Sequence, residues 1–257
     1  MLLPEPATAA ESFIFKGSSM LRRLAVCALT VWGLVACSAS ANEAKIRQIL
    51  QGKFPTMTVE GVTKAPFAGL YEVVLDGEIV YTDEKVEYFL GGNLYDIRTL
   101  PPRNLTLETT NRTVVKALAS SQDLAIKRVK GSGSRTLYTF EDPNCGYCRQ
   151  LSQELAKVND VTVYTFLTPI LSQDSVDKSR AIWCSEDRAK AWDDLMLRST
   201  LPTSGATCET PIEKSLQLMR KFGVRGTPAI YLANGQHIGG YIPADQIERA
   251  LGSVSVK

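Results

Sequence analysis

Histidine is nearly absent from this chain: His237 is the only one in 257 residues. No second Cys-x-x-Cys accompanies Cys145-Gly146-Tyr147-Cys148. A zinc site built on that motif would need two more ligands in suitable geometry, so this scarcity favours redox chemistry over metal. No metal and no cofactor is expected. An excess of charge of either sign is missing too. The residues after position 41 include 26 basic and 25 acidic side chains, a balance with no global pull toward nucleic acid or an anionic membrane. The apolar run Leu24 to Ala36 has thirteen residues, short of the ~20 of a membrane-spanning helix. Internal repeats and long low-complexity segments are also absent. The 216 residues after position 41 suffice for one small and one ordinary domain.

What the chain does have is the motif itself. It follows the apolar run Leu137-Tyr138-Thr139-Phe140 and precedes a helical pattern, with Cys148, Leu151 and Leu155 on one face of residues 145–157. Pro143 cannot continue the strand, and Asn144 is placed to cap the helix. Cys145 then falls in the first turn, where unpaired N–H groups and the helix dipole favour an anion. Its pKa is expected below the ~8.5 of a free thiol, with its thiolate exposed. Cys148, a turn further in, is expected to be more buried and to act as the resolving thiol.

Residues 1–41 read as a signal segment. Met20-Leu21-Arg22-Arg23 is basic, the apolar run follows, and Ala39-x-Ala41 offers a cleavage site before Asn42. Residues 1–19 do not fit ahead of such a signal, which points to Met20 as the true start. A lone membrane anchor is the bland alternative. Leu34-Val35-Ala36-Cys37 resembles a bacterial lipobox, so lipidation at Cys37 competes with soluble release. Cleavage after Ala41 leaves Cys145, Cys148, Cys184 and Cys208, an even number that suits an oxidising compartment.

The remainder reads as α+β. Over 42–103, Asn42 caps a short helix with Ile46, Ile49 and Leu50 on one face. Leu70 to Leu75 and Ile79 to Tyr81 form a hairpin through Asp76-Gly77. A turn at Gly91-Gly92-Asn93 separates Tyr88-Phe89-Leu90 from Leu94-Tyr95-Asp96-Ile97. Such a thin core with open sheet edges favours pairing with a second copy, although packing on its own chain stands equally open. Residues 104–122 read as a linker helix after Pro101-Pro102. From residue 123 to 257 come strands at Leu124 to Val129 and Arg135 to Phe140, the motif helix, and a strand at Val161 to Leu167. A mostly helical stretch over 175–198 follows, then a helix at Ile212 to Phe222, a hairpin through Asn234-Gly235, and a closing helix at Asp245 to Leu251.

Taken together, these residues resemble the DsbC family of periplasmic disulfide isomerases. The resemblance is carried by Glu141-Asp142-Pro143-Asn144-Cys145-Gly146-Tyr147-Cys148, by Gly226-Thr227-Pro228, and by the stretch from Trp183-Cys184 to Asp193-Asp194. In the leading domain Ile46-Arg47-Gln48-Ile49-Leu50, Gly69 to Val74 and Asn93-Leu94-Tyr95-Asp96 extend it. It implies a small N-terminal dimerisation domain, a linker helix and a thioredoxin-like domain with a helical insertion. It also implies a periplasmic homodimer whose cleft holds misfolded disulfide-containing exported proteins, with a membrane reductase of DsbD type as partner. By position, Cys145 resembles the nucleophile and Cys148 the resolving thiol. Gly146, Tyr147, Thr227 and Pro228 resemble the surrounding active-site loops, Thr227-Pro228 being the family's cis-proline loop. An ordinary trans proline is the alternative at Pro228. Cys184 and Cys208 resemble a structural disulfide, expected to lie packed near aromatic residues, with two buried free thiols as the alternative.

Departures set limits. Thioredoxins carry a buried aspartate six positions before the first motif cysteine, where this chain has Thr139, so the proton acceptor for Cys148 is unnamed. Glu141 and Asp142 are expected on the solvated surface, His237 in a hairpin strand without a catalytic part, and Tyr71, Tyr81, Tyr88 and Tyr95 in core or interface packing. The leading reading is an isomerase of non-native disulfides. A DsbG-like reductase of single cysteines, and a chaperone or binding module with secondary thiols, compete with it.

Overall fold

The computed structural model describes residues 41–202 and 208–254. Met20, Cys27, Cys37, Ala39 and the rest of residues 1–40 lie outside it, so the signal and lipidation readings are not addressed by the structure.

Helix α1 covers residues 41–53. Asn42 is already inside it rather than capping it, and its side-chain amide donates to the Tyr71 hydroxyl at 3.3 Å. Ile46 and Leu50, four apart, press on one face of an antiparallel sheet of β1 (Val59–Lys64), β2 (Tyr71–Leu75), β3 (Glu78–Thr82) and β4 (Phe89–Gly91). Alternation does the sorting: Tyr71, Val73 and Leu75 of β2 join that core together with Val59, Val62 and Val86. The β2–β3 turn needs two left-handed residues, and Asp76 (φ 49°) and Gly77 (φ 85°) supply them. Strand β1 had no sequence signal, because its polar residues and the register shift between Val59 and Gly61 break its alternation. The residues flanking Gly91-Gly92-Asn93 do not pair with each other. β4 pairs with β3, whereas β5 (Tyr95–Asp96) pairs with β6 (Arg103–Asn104).

Asn104 caps helix α2 (Leu105–Ser120), accepting the Leu107 N–H at 2.9 Å. Far from being a bare connector, α2 sends Val114 and Leu118 into the core of the second sheet, beside Phe140, Phe166 and Tyr231. The approach is close: a Cβ on Gly235 would lie 2.0 Å from the Asn111 carbonyl oxygen. Lys221 and Glu60 add an ion pair at 2.8 Å between the two halves.

The second sheet runs β11-β10-β8-β9-β7. Its strands are β7 (Ile126–Lys130), β8 (Arg135–Glu141), β9 (Val161–Leu167), β10 (Ala229–Leu232) and β11 (His237–Gly239). Central β8 and β9 are parallel, as a β–α–β crossing through α3 (Gly146–Leu155) requires, and the other pairings are antiparallel. The helical stretch over 175–198 is two helices, α4 (Gln173–Trp183) and α5 (Arg188–Arg198), broken where Cys184 ends one and Asp187 caps the other. Helices α6 (Ile212–Lys221) and α7 (Ala244–Ser253) complete the α+β fold. The α4–α5 pair covers the motif: Trp183, Trp192, Leu195 and Met196 share a cluster with Cys145 and Cys148.

Candidate active site

Strand β8 delivers the motif, and its last residues set the geometry. Glu141 and Asp142 are both fully buried, not solvated as expected. Asp142 is a backbone clamp: one carboxylate oxygen accepts the N–H groups of Ile170 (2.8 Å) and Leu171 (3.0 Å), the other that of Asn144 (2.7 Å). This fastens the end of β8 to the segment after β9. Asn144 does not cap the motif helix. Its amide donates to Asp174 at 2.7 Å and Ser175 at 3.0 Å and its carbonyl accepts Lys178 at 2.7 Å, tying the motif to α4.

Cys145 takes the cap position itself, in extended backbone (φ −74°, ψ 118°), and its Sγ accepts the Cys148 N–H at 3.3 Å. Sγ therefore sits over the free N–H groups of the helix start. On its other side the Thr227 carbonyl oxygen is 3.2 Å away, and the Thr227–Pro228 bond is cis. Hydrogen bonding from the Cys148 thiol, against burial, leads a set of bonds that holds the Cys145 pKa down to about 5. Thr227 and the N–H groups of Cys148 and Tyr147 add to it. Thr227 Oγ1 is buried and otherwise unpartnered. Cys148 moves the opposite way: burial, its bond to Cys145 and the charge of Glu141 push its pKa up. Cys145 is less open than expected, at 7 % exposed, while Cys148 is at 0 %. The open part of the loop is Tyr147, 62 % exposed and 6.2 Å from the Tyr241 ring, with empty space beside Gly146. An anionic sulfur above a buried neutral thiol can attack a disulfide and then be released by its neighbour.

Comparison with known proteins agrees with this chemistry. Residues 37–107 match the family described as the disulfide bond isomerase protein N-terminal domain, and residues 122–255 match a thioredoxin-like domain. A probable thiol:disulfide interchange protein DsbC of Bordetella parapertussis is 43 % identical over 207 residues, covering 80 % of this chain and 73 % of the relative. The Escherichia coli K12 thiol:disulfide interchange protein DsbC is 30 % identical over 218 residues, 83 % of this chain and 89 % of that one. This chain belongs to the DsbC family. A disulfide interchange protein from Neisseria gonorrhoeae, solved by crystallography, is 40 % identical with a TM-score of 0.50, covering 52 % of this chain and 96 % of that chain. As a DsbC-family protein the chain is a thiol:disulfide oxidoreductase.

Within this DsbC-family site the second cysteine pair stands apart. Cys184 and Cys208 are bonded, with Cα atoms 5.7 Å apart, joining the end of α4 to the segment before α6. The bridge is not sheltered: Cys184 is half-buried and Cys208 exposed. His237 is an exposed strand residue whose ring stacks on Tyr231 at 4.7 Å. Tyr71 and Tyr81 are core, whereas Tyr88 and Tyr95 are exposed.

Sequence reasoning missed Glu141. One of its oxygens accepts the Thr139 hydroxyl at 2.7 Å and the Thr165 hydroxyl at 3.3 Å, and Arg128 lies 3.8 Å away. The other has no partner. Burial, opposed by Arg128, pushes its pKa up to about 6. The available signal was position: Thr139 and Glu141 share one face of a strand otherwise apolar at its centre.

Proposed function

We propose that this protein isomerises non-native disulfides with Cys145 as nucleophile and Cys148 as resolving thiol. The observation that carries this reading is the opposed placement of the pair: Cys145 Sγ accepts the Cys148 N–H at the helix start, where its pKa is lowered, and Cys148 is fully buried, where its own is raised. The Cys145 thiolate attacks a substrate disulfide, forming an enzyme–substrate disulfide and expelling a substrate thiolate. That thiolate can attack elsewhere in the substrate, release Cys145 reduced, and complete isomerisation with no net redox change. If it stalls, Cys148 attacks Cys145, and the substrate leaves reduced by two electrons while the enzyme pair is oxidised. A membrane reductase of DsbD type would then restore the dithiol.

Gly146, Tyr147, Thr227 and Pro228 form the substrate-facing loops in this reading, and Cys184–Cys208 is structural. Residues 42–103 are the dimerisation domain, 104–122 the linker helix and 123–257 the catalytic domain. The homodimer is supported by the N-terminal family match and by the exposed Phe67, Tyr88, Leu90, Tyr95, Ile97 and Leu100, apolar surface that a partner copy would cover. The substrates are misfolded disulfide-containing exported proteins, and the site is the periplasm. No helix among the described residues is long and apolar enough to cross a membrane. Lipidation at Cys37 has no support and is not part of the proposal. The test is refolding of a scrambled multi-disulfide protein with the purified chain, its mass measured by light scattering. Recovery of native disulfides by a dimer is expected; aggregation suppression that survives Cys145→Ala, Cys148→Ala without any reshuffling in the unaltered protein would make it a chaperone instead.

A further inference from the structure

The two halves of the chain are joined at two places. At the first, the start of α2 is bonded into the N-terminal domain. The Leu105 N–H donates to the Leu94 carbonyl at 2.9 Å, the Leu94 N–H donates to the Thr106 hydroxyl at 2.8 Å, and the Thr106 and Tyr81 hydroxyls share a buried bond of 2.5 Å. Further along, α2 belongs to the thioredoxin-like half through Val114 and Leu118. At the second place, the end of α6 meets the first sheet. We propose that Lys221 and Glu60 form a latch there, which holds the catalytic half against the N-terminal sheet and, when it opens, lets that half swing about the start of α2. The latch adds a conformational step to the interchange proposed above, and its effect on substrates rests on the homodimer reading.

Three observations single out this contact. Lys221 Nζ donates to Glu60 at 2.8 Å, and among the described residues this is the one ion pair between residues 41–104 and the catalytic half from residue 122 on. The Lys221 backbone is seated where the β2–β3 turn carries no side chain: a Cβ on Gly77 would lie 3.0 Å from the Lys221 carbonyl oxygen and 3.2 Å from its Cγ. The surroundings of the pair are not packed. Two cavities share Lys221 as a wall, one of about 420 Å³ lined also by Gly77, Asn111 and Gly235, the other of about 310 Å³ lined also by Glu60, Val74 and Thr113. Packing that holds elements rigidly leaves few voids larger than a water, and domains without a large apolar interface move relative to each other.

Neighbouring charges do not duplicate the pair. Arg220 is engaged with Glu213 on its own helix at 2.7 Å, and Asp76 accepts the Thr58 N–H at 2.8 Å. Lys116 lines the second cavity with Glu60 but stands on α2, so a bond to it would tie Glu60 to the pivot helix and leave α6 free. The Lys221 and Glu60 side chains are 34 % and 23 % exposed, so salt reaches the pair and weakens it. Attachment along one helix leaves rotation about its root free, and a second attachment off that helix fixes the angle. In the homodimer proposed above, that angle sets the separation of the two Cys145 thiols and so the size of substrate that fits between them.

The test is small-angle X-ray scattering of the chain, fitted as docked and swung forms. In the unaltered protein the docked form should prevail at about 0.01 M salt and give way in about 1 M NaCl, where the screening length falls from about 30 Å to about 3 Å. At the lower salt, Lys221→Gln and Glu60→Gln should each raise the ratio of swung to docked forms by up to about fivefold, the upper range for an exposed pair. Both changes together should do no more than either alone, as expected for partners in one interaction. Lys221→Arg keeps the charge and should scatter like the unaltered protein. Scattering by both single variants that matches the unaltered protein would overturn the inference. So would single effects that add in the double variant. Forward scattering gives the mass from the same data: a monomer would sink the homodimer reading, while the comparison among variants still decides the latch.

Discussion

The two cysteine pairs of the thioredoxin-like half invert the simple relation between exposure and reactivity. Cys145 and Cys148 are buried and unbonded, yet one of them is an anion at neutral pH. Cys184 is half-buried and Cys208 exposed, and they are joined. What separates them is the set of hydrogen-bond donors. Cys145 Sγ faces a helix start, the Cys148 thiol and Thr227, whereas Cys184 ends helix α4, where carbonyl groups rather than N–H groups are free. A thiolate is stabilised at one helix end and not at the other. Thiol chemistry is thus decided by where along a helix the sulfur sits.

The largest expected effect tests that division directly. Cys145→Ala should take disulfide interchange to background, while Cys148→Ala should still attack substrates and accumulate trapped enzyme–substrate disulfides. Non-reducing gels after mixing with a disulfide substrate check both. The paired change Cys184→Ala, Cys208→Ala should leave that trapping intact and lower unfolding free energy by about 3 kcal/mol, the chain-entropy value for a loop of this size. Its separation of 24 residues sets the loop. Denaturant unfolding measures it; a loss of interchange without a loss of stability would reverse the roles of the pairs.

The pH dependence sharpens the comparison further. The Cys145 pKa is depressed, to about 5, from the ~8.5 of a free thiol. Between those values the unfolded chain holds a proton on Cys145 that the folded one has lost, so the contribution of this thiol to the stability of the reduced protein rises with pH across that window, while the raised Glu141 pKa works against it below about 6. The contribution is complete above the unfolded pKa and disappears as pH falls through about 5. Thiolate absorbance should report a midpoint near 5, and Thr227→Val should shift it upward by removing one donor with little change in fold. A midpoint near 9 in the unaltered protein would break the link between helix start and thiolate.

How far these features could be read from residues alone follows the kind of physics each one uses. Strand β9 was legible from Val161 to Leu167 because its limits are set by local sequence: Asp160 opens it and Pro169 follows its end. The β2–β3 turn was legible because Asp76-Gly77 admits positive φ. The cap of α3 was misassigned because Asn144, a good cap by type, is drawn away by Asp174, Ser175 and Lys178 thirty or more residues on. Glu141 was missed for the same reason in stronger form. A carboxylate in an isolated segment reads as solvated, and only the arrival of Arg128, Thr165 and the α4–α5 pair makes a buried charge tenable. Local pattern yields elements; the site is assembled from partners that the pattern does not contain.

The smallest expected effect isolates openness from donors. Gly146 is the first residue of α3, its φ is not in the left-handed region, and a Cβ there would meet nothing within 4 Å. Gly146→Ala should therefore stabilise the chain by about 0.5 kcal/mol through reduced freedom of the unfolded state. Added bulk on the open side touches none of the donors to Cys145 Sγ, so the thiolate midpoint should stay near 5. Alkylation of Cys145 by a small reagent, corrected for thiolate fraction, should also be unchanged. A midpoint that climbs in Gly146→Ala would mean that the solvated space beside the loop, rather than the Cys148, Tyr147 and Thr227 donors, holds the anion, and the contrast drawn between the two pairs would then be one of hydration.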